Sequence, residues 1–148
     1  MVLVARQKQM SQKAWNYKQH SGVCGYKAGG LNPPHTHPHA TEIVFVFVLE
    51  GQLDVGFITT ANKLISQTIN KGEIFVFPKG LVHYQKNNGD NPAAVISAFN
   101  SQLPGTVSIA ATLFASTPTV PDDVLDKAFQ IDTKLVDEIK INLAPKKS

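Results

Sequence analysis

Two histidines separated by a single residue, His35 and His37, stand in the stretch GGLNPPHTHPHATE that begins at Gly29. On an extended strand the side chains at i and i+2 leave the same face, so both imidazoles can reach one ion. Glu42 follows five residues later. That odd offset puts it on the other face of an unbroken strand, but Pro38 lies between and permits a bend or bulge that redirects it. About forty residues on, GEIFVFPKGLVHYQKN sets Pro78 and Gly80 in a turn ahead of His83. Three imidazoles and a carboxylate would hold a transition metal, and the ligand types alone do not choose among manganese, iron, nickel, copper and zinc. Taken singly, each residue has a plainer reading: a surface or packed histidine, a solvated strand-start glutamate, ordinary turn glycines and prolines. The combination is what points to a metal. His39 keeps the parity of His35 and His37 and is a rival ligand.

The elements that would carry these residues are strands. From Gly22 onward, Gly, Pro and Asn punctuate short runs of β-branched and aromatic residues. Candidate strands are Glu42 to Leu49, Gln52 to Thr59, Lys63 to Asn70, Ile74 to Phe77, Ala93 to Asn100 and Thr106 to Leu113. Turn-rich segments separate them, among them Glu50-Gly51, Asn70-Lys71-Gly72 and Pro104-Gly105. Such regular spacing predicts an antiparallel sandwich or barrel. After Pro118 the period changes. Pro121 can open a helix to about Phe129, with Asp122 and Asp123 near its positive end. Asp132 can cap a second helix in which Leu135, Ile139 and Leu143 form a stripe that Val136 widens. Met1 to Gln19 is polar and without clear period, and is read as a loosely held arm.

Read together, these residues resemble both cupin motifs, in a form similar to the germin and germin-like proteins of plants. The first motif spans Gly29 through Gly51; the second comprises Gly72, Pro78, Gly80, His83 and Asn87. The likeness runs from about Gly29 to Leu143 and includes VGF at Val55, SAFNSQLPG from Ser97 and PDDVLDKAFQ from Pro121. It implies an all-β core, a jelly-roll β-barrel, with C-terminal α-helices. By the same resemblance manganese is the cofactor, held by His35, His37, Glu42 and His83, with open positions for water, oxalate, superoxide or dioxygen. Asn32 matches an asparagine lining the germin pocket and is a candidate substrate contact. Germin-like chains usually carry arginine at the place of His39, which speaks against ligation there, and Asn87 is expected to complete a turn. The domains expected are 1–28, a divergent arm; 29–120, the barrel; and 121–148, a helical tail packing on the barrel or at an oligomer interface. The resemblance further implies an extracellular, apoplastic or cell-wall protein of plant defence, assembled as a hexamer and acting on superoxide by dismutation. The rival expectation is a non-enzymatic, wall-associated or receptor-like member, or an inactive truncated one.

Composition fits one domain of ordinary size: 148 residues, 43% hydrophobic and 17% charged, far from the make-up of disordered chains. A net charge of +3 spread along the chain is too weak to argue for nucleic acid. Cys24 is the single cysteine, so no internal disulfide or paired-cysteine metal site forms. No apolar run reaches the length of a membrane span. Several features depart from the germin pattern. No signal peptide is evident, and the family's two N-terminal cysteines are missing, which reads as an N-terminal truncation. The segment before Gly29 lacks the family's usual strand. Gly22 stands where a second oxalate-contacting asparagine is usual, which disfavours oxalate oxidation. Between Glu42 and Gly51 lie the eight residues IVFVFVLE, where the family usually has six. Two extra residues displace one strand end by roughly 7 Å. Either a bulge or longer hairpin absorbs them beyond Glu42, or His35, His37 and Glu42 move away from His83.

Overall fold

In this computed structural model residues 17–20, 23–39, 44–101 and 103–144 are described. Glu42, Gly22, most of the Met1 to Gln19 arm and the Lys146-Lys147 end lie outside them. The chain divides into two compact units, one ending at Val107 and the other beginning at Ser108.

The first unit contains two five-stranded sheets. One has the order β1 (Tyr17–His20), β2 (Val23–Tyr26), β9 (Ala93–Ala98), β4 (Val44–Glu50), β7 (Ile74–Phe77). The other runs β10 (Val107–Ser108), β3 (Leu31–Thr36), β8 (His83–Lys86), β5 (Gln52–Ile58), β6 (Leu64–Asn70). Period-two alternation builds the core. Leu53 and Val55 on β5 turn inward, and Leu53 sits opposite Ile69 on β6. From the other sheet, Cys24 and Tyr26 lie opposite Val95 and Ala93, and Phe77 joins them. These side chains form one buried cluster with Phe99. Each large apolar member contributes about 1.5–3 kcal/mol by leaving water.

Gly51 carries the chain from β4 in one sheet to β5 in the other at φ +74, and a Cβ there would meet the Pro92 carbonyl oxygen at 2.8 Å. Only glycine fits both the conformation and the space. The extra residues before it meet a break in register. On β4, Val48 pairs with Val95 and Glu50 with Ala94, so two steps on one strand match one on the other. That bulge takes up one residue, while the pairing of β4 with β7 stays regular from Val44 to Phe47.

Several strands differ from the sequence expectation. β1 and β2 form where a polar arm and a lost strand are expected, because their backbone groups complete the edge beside β9. β3 is hidden in the sequence by two prolines and β8 by its short, polar make-up. The expected strand Thr106 to Leu113 is a two-residue β10 followed by helix α1 (Ile109–Phe114). Its IAATLF run is too short for periodicity to separate strand from helix.

The second unit also holds α2 (Asp122–Phe129) and α3 (Thr133–Leu143). Pro121 flanks α2 instead of occupying its first turn, and Asp122 accepts from the Lys140 ammonium, which also donates to the Val120 carbonyl at 2.6 Å. Asp132 caps α3 as expected, its Oδ1 accepting from the Leu135 N–H at 2.8 Å. The helical core comprises Phe114, Leu125 and Val136, with Ile139 and Leu143 against it. Leu135 is a correction: it is 41% exposed, because the stripe is centred on Val136. No described helix is long and apolar enough to cross a membrane.

Candidate metal centre

The site starts with a defect in β3. Pro33 and Pro34 have no N–H to give the ladder, and the pairing with β8 slips there. Asn32 lies opposite Gln85 and His35 opposite His83, so three steps on β3 (35 − 32) match two on β8 (85 − 83). This bulge reverses parity. Asn32 and His35 would leave opposite faces of a regular strand, yet both are buried. The expected bend at Pro38 is therefore preceded by a bulge five residues earlier. The placement of His35 against His83 is set by β3 and β8, in the sheet that does not contain β4, so the extra residues of β4 do not part these two; Glu42 lies outside the described residues.

His35, His37 and His83 come together. All three are buried, and one nitrogen from each lies within 4.8 Å of the other two. Ring centroids are 5.0 Å apart for His35 and His37, 4.2 Å for His35 and His83, and 5.3 Å for His37 and His83. Each ring is tethered by the same device. His35 Nδ1 donates to the Pro33 carbonyl at 2.8 Å, His83 Nδ1 to the Leu81 carbonyl at 2.8 Å, and His37 Nδ1 to the Gly105 carbonyl at 2.5 Å. A carbonyl oxygen only accepts, so each Nδ1 carries the proton and each Nε2 is left as a lone pair. Gly105 presents its carbonyl from φ +66, in a loop held by the His39 N–H donating to the Pro104 carbonyl at 3.0 Å.

Burial keeps the rings neutral. His35 is held well below the ordinary imidazole value, first by loss of water and then by repulsion from His83 and His37; the Pro33 carbonyl opposes this. His37 is lowered by burial against the opposing pull of the Gly105 carbonyl. Burial lowers His83 to about 4, with the Leu81 carbonyl again opposing. A neutral imidazole with an exposed lone pair is the form that binds metal. The fit is sharpest at His83, whose Nε2 is buried without a hydrogen-bond partner. Leaving such an acceptor unmet costs about 1–3 kcal/mol, and a cation shared by the three rings removes that cost. Phe77 stacks on His83 at 4.4 Å and Phe99 meets His37 edge-on at 4.7 Å, so two sides of the centre are apolar.

His39 is exposed and is not among the converging residues. Asn32 is 6% exposed, its Nδ2 lying 3.4 Å from His35 Nε2 and donating to Gln85 Oε1 at 2.7 Å. Asn87 completes a turn: its Nδ2 donates to the carbonyls of Lys27 and Asn91, and its Oδ1 accepts from the Gly89 N–H. Sequence reasoning missed Gln85, although its offset of two from His83 puts it on the same inward face.

The model of the cupin family matches residues 14–137. The chain belongs to the cupin family. Its relatives include germin-like protein 5-1 of Oryza sativa subsp. japonica, 72% identical over 122 residues that cover 82% of this chain and 54% of the relative. The rhicadhesin receptor of Pisum sativum is 73% identical over 122 residues, covering 82% of this chain and 55% of that one. Among solved structures, oxalate oxidase in complex with the substrate analogue glycolate superposes with a TM-score of 0.80 at 39% identity, covering 85% of this chain and 65% of the other. This cupin thus spans about half the length of the curated relatives it matches. The barrel and C-terminal helices expected from the germin resemblance agree with these likenesses.

Proposed function

We propose that this germin-like cupin is an extracellular manganese protein whose metal centre dismutates superoxide. The observation that carries the proposal is the buried trio of neutral imidazoles, each tied through Nδ1 and bringing one ring nitrogen within 4.8 Å of the other two. His35, His37 and His83 are the proposed ligands, with Glu42 as the fourth. Manganese is taken from the resemblance to germins; bound here, it supplies a one-electron couple able to accept an electron from one superoxide and return one to the next. The protein's own part is geometric and electrostatic. The rings stay unprotonated, Phe77 and Phe99 keep water from their sides of the centre, and Asn32 offers an amide beside His35 to an incoming anion. An apoplastic or wall location, a part in plant defence and hexameric assembly belong to the same proposal and rest on the germin-like relatives.

Metal analysis of the purified protein together with a dismutation assay tests this reading. Manganese approaching one ion per chain and activity above that of free manganese are expected; no bound manganese and no such activity would remove it. Oxalate is not the expected substrate, so hydrogen peroxide release on adding oxalate should be absent.

One observation favours a second reading, a receptor-like binding protein of the wall without catalysis: the relative in Pisum sativum is named a receptor. His83→Ala separates the two. If the variant loses its metal and a cellular phenotype persists unchanged, the receptor-like reading gains.

A further inference from the structure

Asn88-Gly89 is the one Asn-Gly step in the sequence. It lies in the loop between β8 and β9, and Asn88 is exposed there. Such a step carries its own chemistry. Glycine has no Cβ to hinder its nitrogen or to restrict the backbone, so the Gly89 main-chain nitrogen, once its proton has gone to hydroxide, can attack Asn88 Cγ. A nitrogen–carbon bond forms and closes a five-membered imide, the bond from Cγ to Nδ2 breaks, and Nδ2 leaves as ammonia. Water then opens the ring at either carbonyl, leaving an aspartate or an isoaspartate at 88. Asn91 in the same loop cannot follow this route, because Pro92 has no N–H to give up.

In the folded chain both partners of the reaction are held. The Gly89 N–H donates to Asn87 Oδ1 at 2.9 Å, so the attacking nitrogen keeps its proton. Asn88 Nδ2 donates to Asp54 Oδ2 on β5, and Asp54 Oδ1 accepts in turn from the Thr68 hydroxyl of β6 at 2.6 Å. The guard itself has no freedom. Asn87 is fully buried, its Nδ2 serves the carbonyls of Tyr26, Lys27 and Asn91, and its own N–H donates to the Gly30 carbonyl at 2.8 Å. Turning its amide over to release Gly89 would set an oxygen against three carbonyl oxygens.

We propose that Asn88 is a deamidation site which Asn87 keeps closed in the folded chain, so that opening of this loop is recorded as a covalent gain of negative charge. Once formed, that charge works against the loop's return. A carboxylate at 88 brings no hydrogen to Asp54 and faces it with like charge, and the isoaspartate also lengthens the main chain by one carbon. The site goes beyond the manganese reading and does not depend on it.

Peptide mapping by mass spectrometry of the full chain, held in mildly alkaline buffer, tests this. Conversion at 88 in the folded chain should run at least about tenfold slower than in the same chain unfolded in urea, because two hydrogen bonds must open first. Asn87→Ala removes the acceptor of the Gly89 N–H and should raise the folded-state rate about tenfold. Asp54→Ala frees only the Asn88 amide and leaves the nitrogen guarded, so it should raise the rate by less than about threefold. Gly89→Ala in the Asn87→Ala background should bring the rate back to the wild-type level or below. Equal rates folded and unfolded, no conversion in the unfolded chain, or a folded Asn87→Ala chain that converts no faster than wild type would overturn the proposal. Asn88→Asp places the product charge directly and should lower the urea midpoint of unfolding; an unchanged midpoint would overturn the opposition to the loop's return. Should circular dichroism show Asn87→Ala unfolded, hydrogen exchange at the Gly89 amide of the wild-type chain decides: slow exchange with slow conversion supports the guard, and fast exchange with slow conversion overturns it.

Discussion

His35 has two demands made on it: its Nδ1 must hold the Pro33 carbonyl and its Nε2 must meet whatever the other rings share. His35→Ala deletes a proposed ligand and is expected to lower manganese affinity by more than the roughly 10–100-fold that loss of an outer-shell partner costs. Equilibrium dialysis against manganese measures this, and an unchanged affinity would remove His35 from the ligand set. Acidity acts on the same atoms. The folded His83 titrates near 4 against an ordinary 6.5, so between these values the unfolded chain binds more protons than the folded one. Stability of the metal-free protein is therefore full above about pH 6.5 and is lost progressively as pH falls toward 4, with a slope approaching ~1.4 kcal/mol per pH unit for this one ring. Urea titrations of metal-free protein between pH 7 and about 4 should show the decline, and His83→Gln should lessen it, His35 and His37 still contributing. A metal-free protein equally stable at both ends would contradict a buried, neutral trio. At this scale the sequence was legible where spacing alone speaks, as in His35-x-His37 and the turn before His83. Gln85 and Tyr26 were not, because a hydrogen-bonded glutamine and a core tyrosine carry no sequence mark until strands are paired.

The strands β3 and β8 form the element that makes the site, and their common bulge at Pro33-Pro34 turns Asn32 and His35 to one side. Since β4 belongs to the other sheet, its extra pair of residues is predicted to be neutral for metal binding. A variant lacking Phe47 and Val48 should bind manganese with the same stoichiometry as the parent, by elemental analysis; loss of metal would show that β4 does govern the centre. Period-two patterning made β5, β6, β7 and β9 readable to within a residue or two. It failed at β3, because consecutive prolines ordinarily argue against a strand and only the bulge makes them acceptable. It failed at Thr106 to Leu113, where a short apolar run serves strand and helix equally until its neighbours are known.

At the scale of the whole chain, the described residues form two hydrophobic clusters, one built from the strands and one from the helices, with no residue in common. Leu53, fully buried, and Leu125, 1% exposed, are central to them. Leu53→Ala and Leu125→Ala should each cost about 2–5 kcal/mol in denaturant unfolding; a cost below 1 kcal/mol would mean that the site collapses around the smaller side chain or was never tightly packed. The fold class and the helices after Pro121 were legible from turn spacing and the change of period. The division at Val107 and Ser108 was not, because α1 resembles a strand in the sequence.

Each imidazole is moored to main chain: to the bulge at Pro33, to the turn at Leu81 and to the loop at Gly105. Because an amide oxygen belongs to every residue type, no side-chain exchange at Pro33, Leu81 or Gly105 can delete a mooring outright. Mutational drift can reach these anchors only by bending the path of the backbone, so the ring orientations are insulated from most single-letter changes at the very positions that set them.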